Sequence, residues 1–262
     1  MLISNVDYFL SWVVHFLLIV ARLSVLFVFS PILARRDIPG LVKVGLSLLL
    51  AVIVINFHHP AQAYPYDNLY ALAFAVIAEL SVGLVIGFIT SLFFNLVFTA
   101  AHVMDLQIGF SMAQMFDVSV GGQVAVTSGF LNFILIVSFI TSGAFTTLIE
   151  TMVLTFERIP VGMGILRPEA VELVVEVFLR TFAMAVQVAM PLLASALLLE
   201  VALGVIVRTA PQMNVFVVGI PLKVFLGLIV LALMLPVFAN FTRIIFDWMF
   251  EYIYEMLGGI TR

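Results

Sequence analysis

The chain has 262 residues, of which 64% are hydrophobic and only 10% charged, and its mean hydropathy is +1.27. A soluble domain is about 25% charged, so water cannot be the solvent for this much apolar surface and a bilayer can. The net charge of −4 is diffuse and includes no basic run, which argues against nucleic acid, and the absence of Cys rules out disulfides, thiolate zinc sites and cysteine nucleophiles.

Apolar runs long enough to cross a bilayer, roughly 20 residues each, occupy approximately 8–34, 41–57, 69–99, 124–149, 170–207 and 215–247. They predict an all-α, multi-helix integral membrane protein forming one membrane-embedded domain, with six spans as the upper count. The stretch Met1 to Tyr8 lacks a basic n-region, and no small-residue cleavage site follows, so the first run reads as retained structure. It contains one charge, Arg22, and closes at Arg35-Arg36-Asp37-Ile38-Pro39-Gly40. The second run ends in the turn chemistry of His58-His59-Pro60.

The third run carries Glu79, Gly83, Gly87, Ser91, Asn95 and Thr99 at every fourth position. We read these as a small, polar stripe on one face, where another backbone approaches closely or where something wet is lined. The seam lies either inside the chain's own bundle or between subunits. The runs 69–99 and 170–207 are longer than a bilayer requires at about 1.5 Å per residue. Pro191 removes a helical hydrogen bond in the second of these, so tilt, a kink or a broken hairpin is expected.

Segment 100–123 mixes His102, Asp105, Gln107, Asp117 and Gly121-Gly122 into apolar sequence. As an irregular loop it cannot face hydrocarbon, because unpaired backbone there costs several kcal/mol per group. It must be buried in protein or line a cavity. Phe110, Met112, Met115 and Phe116 form a soft apolar cluster within it, which suits either a deformable plug in a pore or a re-entrant hairpin.

Among the remaining charges, Glu172, Glu176 and Arg180 follow four apart, and Glu200 and Arg208 lie two turns apart on a similar face. They line a wet pathway, or they pair with each other or with partner chains and fix assembly. The Lys and Arg residues of the connections are too evenly divided to orient the chain. Catalysis has no parts here: the four His lack metal-site spacing, and no nucleophile motif surrounds Ser111. No catalytic residue, metal or cofactor is expected.

Several motifs together give the sequence a family likeness. They are Arg22 with Ser30-Pro31-Ile32-Leu33, then Arg36-x-Ile38-Pro39-x-x-x-Lys43-x-Gly45-Leu46, Glu79 with Gly83-x-x-x-Gly87-Phe88, and Gln107-x-Gly109-x-Ser111-x-Ala113-x-x-x-Asp117. The best stretch is Leu203-Gly204-x-x-x-Arg208-x-Ala210-Pro211-Gln212-Met213-Asn214-x-Phe216-x-x-Gly219-x-Pro221-Leu222. Over nearly its whole length the chain resembles the R subunit of flagellar type III export gates (the FliR family), which is related to the T-type export protein of injectisomes. It departs from the family pattern at Asp105, where glycine is expected, and at Val118, where proline is.

The resemblance implies a non-enzymatic protein resembling a fused P-plus-Q export-gate subunit. Such a subunit assembles with P-type and Q-type subunits, and with B-type and A-type components, in the flagellar basal body at the bacterial inner membrane. Unfolded flagellar proteins would cross the channel so formed. The stretch 106–122, with Phe110, Met112, Met115, Phe116, Gly121 and Gly122, would be the pore plug. Glu79, Gly83, Gly87, Ser91 and Asn95 would form a helix-packing or subunit interface, and Arg22, Glu200 and Arg208 would be its buried charges. The rival expectation is an ion-coupled small-molecule transporter using Glu79, Glu200 and Arg208.

Overall fold

A helix satisfies all of its backbone hydrogen bonds within one segment, which is why a chain this apolar folds as helices. The computed structural model describes residues 2–30, 38–58, 68–109, 126–163, 168–210, 212 and 214–261, and these contain no strand. The helices are α1 (Leu2–Phe29), α2 (Gly40–Phe57), α3 (Leu69–Ile108), α4 (Val126–Thr141), α5 (Ala144–Arg158), α6 (Pro168–Thr209) and α7 (Val215–Thr261). Five of them, α1, α2, α3, α6 and α7, are long and apolar enough to cross a membrane, and α4 with α5 passes the same test as one broken span. The protein is an all-α integral membrane protein.

Three boundaries differ from the hydropathy reading. First, the run read as 124–149 is two helices, parted at Ser142-Gly143, where Gly143 adopts φ +80° and ψ 0°, a conformation that glycine takes without steric cost. Second, α3 continues past Thr99 to Ile108, so the polar residues His102, Asp105 and Gln107 sit on a helix. Their side chains are polar, but their backbone amides are paired within the helix. Third, α6 continues through Pro191 as one helix rather than a broken hairpin, and α7 continues through Pro221 and Pro236 to Thr261, past the end read at 247. The proposed plug residues Phe110, Met112, Met115, Phe116, Gly121 and Gly122 lie outside the described residues.

The chain divides into two compact units, and α3, α6 and α7 contribute to both. The first unit comprises Met1–Leu92, Gly143–Val177 and Asp247–Arg262. In it, α1 buries Ser11, Val14, Leu18, Arg22 and Leu26 along one face, the three-to-four spacing of an amphipathic helix. Helix α2 packs on α1 through the small face Ser47, Ala51 and Val54. Val14, Leu18 and Ala75 form a core cluster flanked by Leu72, Val76 and Val161.

The second unit comprises Phe93–Ser142 and Phe178–Phe246. Its centre is an aromatic chain, with Phe94 edge-on to Phe139 at 5.2 Å and Phe139 edge-on to Phe246 at 5.1 Å. Each such pair adds about 0.5–1.5 kcal/mol beyond the area it buries, and the chain links α3, α4 and α7.

Candidate functional site

The most elaborate polar construction in the first unit is built around Arg22, at 2% exposure, and Glu79, at 0%. Arg22 Nε donates to Glu79 Oε2 at 2.6 Å and Nη2 to Oε1 at 3.0 Å, a two-pronged pair that matches the planar guanidinium to the carboxylate. The remaining faces of the guanidinium are also occupied. Nη1 donates to Thr155 Oγ1 at 3.2 Å, Nη2 to the Ile159 carbonyl at 3.1 Å, and the Phe156 ring lies 4.2 Å from Cζ. The Gly162 amide fills the carboxylate from the other side, donating to Glu79 Oε1 at 2.6 Å.

Charges buried this deeply are tolerated only when paired and hydrogen-bonded, and this pair is both. It joins α1, α3, α5 and the turn after α5. Gly162 reaches Glu79 with φ +84°, one reason glycine suits that turn.

The stripe on α3 begins at this pair. A Cβ added at Gly83 would collide with the Arg22 carbonyl oxygen and lie 3.3 Å from Val25 Cβ. One added at Gly87 would lie 2.7 Å from Phe29 Cβ. Gly83 and Gly87 therefore let the α1 and α3 backbones meet directly, inside this chain. Ser91 is half-buried and donates to the Phe88 carbonyl, while Asn95 and Thr99 are exposed. The helix period explains the divergence: each four-residue step overshoots a full turn by about 40°, so Asn95 lies about 160° around from Glu79. The stripe is a spiral, and only its first half faces α1.

In the second unit, Glu200 pairs with Lys223 across α6 and α7 at 2.5 Å, with 44% and 28% of the two side chains exposed. Arg208, eight residues on from Glu200, is exposed in the last turn of α6. Around the pair the surface is apolar, with Leu197, Leu198, Val201 and Val205 all more than half exposed. The most apolar stretches of α6 and α7 are only 17% and 11% buried, against 50% for α3. A charged pair standing in such a face is poorly suited to hydrocarbon and well suited to a protein or aqueous neighbour.

The second unit also buries Asp105, 6% exposed, whose Oδ1 accepts from the Thr127 hydroxyl and, at 3.4 Å, from the Thr127 amide. No group of three or more His, Cys, Asp or Glu among the described residues could hold a metal. Sequence reading singled out Arg22 and Glu79 but not their partners Thr155, Phe156, Ile159 and Gly162. Nor did it single out Lys223 as the partner of Glu200. Nothing in spacing along one helix signals a neighbour contributed by another.

Comparison with known proteins places these features in a family. The family described as Bacterial export proteins, family 1, matches residues 13–249. Flagellar biosynthetic protein FliR of Escherichia coli (strain K12) is 28% identical over 254 residues, 97% of each chain. The FliR of Bacillus subtilis (strain 168) is 29% identical over 246 residues, 93% of this chain and 94% of that one. Yop proteins translocation protein T of Yersinia pestis is 30% identical over 214 residues, 79% of this chain and 80% of its own.

Proposed function

The chain belongs to the bacterial export proteins, family 1, and on that premise we propose that it is a subunit of the flagellar type III export gate. In this reading it forms, with P-type and Q-type subunits, the channel through which unfolded flagellar proteins are secreted during flagellum assembly. It sits in the basal body at the bacterial inner membrane, in contact with the B-type and A-type export components, and it catalyses no reaction. The observation that carries the reading is the family match over residues 13–249, which takes in both compact units. The flagellar system is favoured over the injectisome because similarity to the Escherichia coli FliR extends over 254 residues, against 214 for the Yersinia protein.

The geometry supports assembly. Helices α6 and α7 leave broad apolar faces uncovered, with the Glu200–Lys223 pair standing in them, a surface better matched to neighbouring subunits than to lipid. Glu79, which an ion-coupled transporter would need free, has both carboxylate oxygens filled by Arg22 and Gly162. Within the assembly, Phe110, Met112, Met115 and Phe116 close the pore, since apolar side chains meeting in a narrow channel exclude water and block ions. Gly121 and Gly122 supply backbone freedom beside them.

The test deletes the gene and restores it with variants. Loss of motility and of secreted flagellar protein is expected without it, as is co-purification of the chain with P-type and Q-type subunits. Replacing Phe110 and Met115 by Gly should leave assembly intact and raise ion leakage. A deletion strain that still swims, or a thermally stable monomer obtained alone, would sink the proposal.

A further inference from the structure

Within the second unit, α6 and α7 carry charge at two levels. At one level Glu200 meets Lys223. Twenty residues before Glu200 stands Arg180, and twenty after Lys223 stands Arg243, both exposed. The Glu200–Lys223 contact fixes the register of this antiparallel pair, so Arg180 and Arg243 are level with each other as well. No charged residue lies between the two levels on either helix. At 1.5 Å per residue the levels are about 30 Å apart, the thickness of a bilayer's hydrocarbon core. The charges frame one membrane-deep apolar band instead of interrupting it.

Toward the arginine end of this band, α6 and α7 leave a groove of about 320 Å³. That is more than twice the ~150 Å³ apolar cavity that holds a benzene molecule. Gln187 and Pro191 line it from α6, and Val230, Leu233, Val237 and Phe241 from α7, with Gln187 the one polar side chain of the lining. Leu233 and Val237 are 70% and 68% exposed, so the groove opens sideways. From Val230 to Phe241 it runs about 16 Å, close to the ~15 Å of hydrocarbon in one leaflet. Arg180 precedes Gln187 by seven residues, close to two turns of 3.6, and lies on the groove's face of α6. Arg243 follows Phe241 by two residues, a rotation of about 200°, and lies on the other side of α7. The acid one turn before Arg180, Glu176, accepts from the Tyr252 hydroxyl at 3.4 Å.

We propose that this groove holds one acyl chain of an anionic phospholipid, with the lipid phosphate at Arg180. The uncharged lining and leaflet length suit the chain, and the arginine beyond its end complements the phosphate. Neighbouring subunits that meet the Glu200–Lys223 pair do so at the opposite level and leave the groove to lipid. The site uses only the second unit and stands whichever secretion system the chain serves.

The test uses the full chain, extracted from membranes with the subunits that accompany it. It is stripped of lipid and equilibrated with vesicles of phosphatidylglycerol or of phosphatidylcholine bearing the same acyl chains. By native mass spectrometry, Leu233→Trp, which fills the groove at an exposed position, should retain one phosphatidylglycerol fewer per chain than the parent. The chain lacks Cys, so a cysteine at exposed Met190, beside the groove, can carry a single bimane label. Phosphatidylglycerol brominated on its chains should quench that label severalfold more than phosphatidylcholine brominated alike. Arg180→Gln should lower this preference about fivefold, the weight of one basic side chain beside an anionic surface. Arg243→Gln, off the groove's face, should leave it unchanged.

Equal retention by Leu233→Trp and the parent, or equal quenching by the two lipids, overturns the site. So does an Arg243→Gln loss as large as that of Arg180→Gln, which would mean diffuse attraction to surface charge. A label that neither lipid quenches also overturns it, since a partner side chain then fills the groove. If Leu233→Trp is lost on purification, the two arginine variants still decide by quenching alone.

Discussion

Removing Glu79 should be the most damaging single truncation in the first unit. In Glu79→Ala, Arg22 stays 2% exposed and loses two of its four hydrogen bonds, and the Gly162 amide loses its acceptor. Breaking a buried ion pair by deleting one partner costs about 3–5 kcal/mol. For a chain of this size each kcal/mol lowers Tm by about 2–4 °C, so a cost of about 4 kcal/mol predicts a fall of about 8–16 °C. Thermal unfolding of the purified complex, followed by fluorescence, reads this directly. The double variant Arg22→Met with Glu79→Leu removes the charge as well as the bond and should regain more than half of the loss. Its remaining deficit would come from Thr155, the Ile159 carbonyl and the Gly162 amide, which the apolar pair cannot satisfy. A fall below about 2 °C in Glu79→Ala, or a double variant no better than the worse single one, would refute the assignment of this pair as the keystone of the unit.

Gly83→Leu should cost more than the same change at Gly45, because Gly83 abuts the Arg22 carbonyl whereas a Cβ at Gly45 meets nothing within 4 Å. The comparison is read as recovered complex and swimming diameter, and equal recovery would contradict the direct α1–α3 contact. Asn95→Leu should leave the chain's own protease resistance unchanged, since Asn95 is exposed. A selective loss of P-type or Q-type partner in pull-downs would then place Asn95 at a subunit interface. Lys223→Glu should reduce co-purification of partners, and adding Glu200→Lys should restore it by re-forming the pair in reverse. The effect on Tm alone should be small, because a partly exposed pair contributes about 0–1 kcal/mol.

The fold class and the helix positions were legible because hydropathy runs report backbone burial, which is what a bilayer enforces. What went unread has two causes. Spacing puts Glu200 on a similar face to Arg208 of its own helix, while its partner Lys223 comes from the next. The polar residues of 100–108 suggested irregular chain, yet the helix continues and one of them, Asp105, meets the start of α4. Fourfold spacing suggested a single face along 79–99, and the accumulated angular drift takes Asn95 and Thr99 out of it. The break after Thr141 had a signal in Ser142-Gly143, but a left-handed glycine inside an apolar run reads like any other small residue until the backbone is seen. The Glu200–Lys223 and Asp105–Thr127 contacts lie between segments, which spacing along one helix does not report. The helix continuation, the angular drift and the glycine break are instead features of a single segment that composition alone left ambiguous.

The interleaving of the two units bears on how the protein is made. The first unit needs residues from 247 onward, where the Tyr254 hydroxyl meets Thr151 and that of Tyr252 meets Glu176. Residues 93–142 and 178–246 are synthesised before them and belong elsewhere. At roughly 5–20 residues per second, the Arg22–Glu79 pair therefore waits on the order of ten seconds or more for its unit to be completed. The groups that enclose the pair, Thr155, Phe156, Ile159 and Gly162, arrive partway through that interval. Until then the charged helix pair must be sheltered by the insertion machinery or by partner subunits already in place. A premature stop near residue 246 would strand this early-made half rather than trim a late one. Mutations late in the gene should accordingly trigger degradation as readily as early ones do.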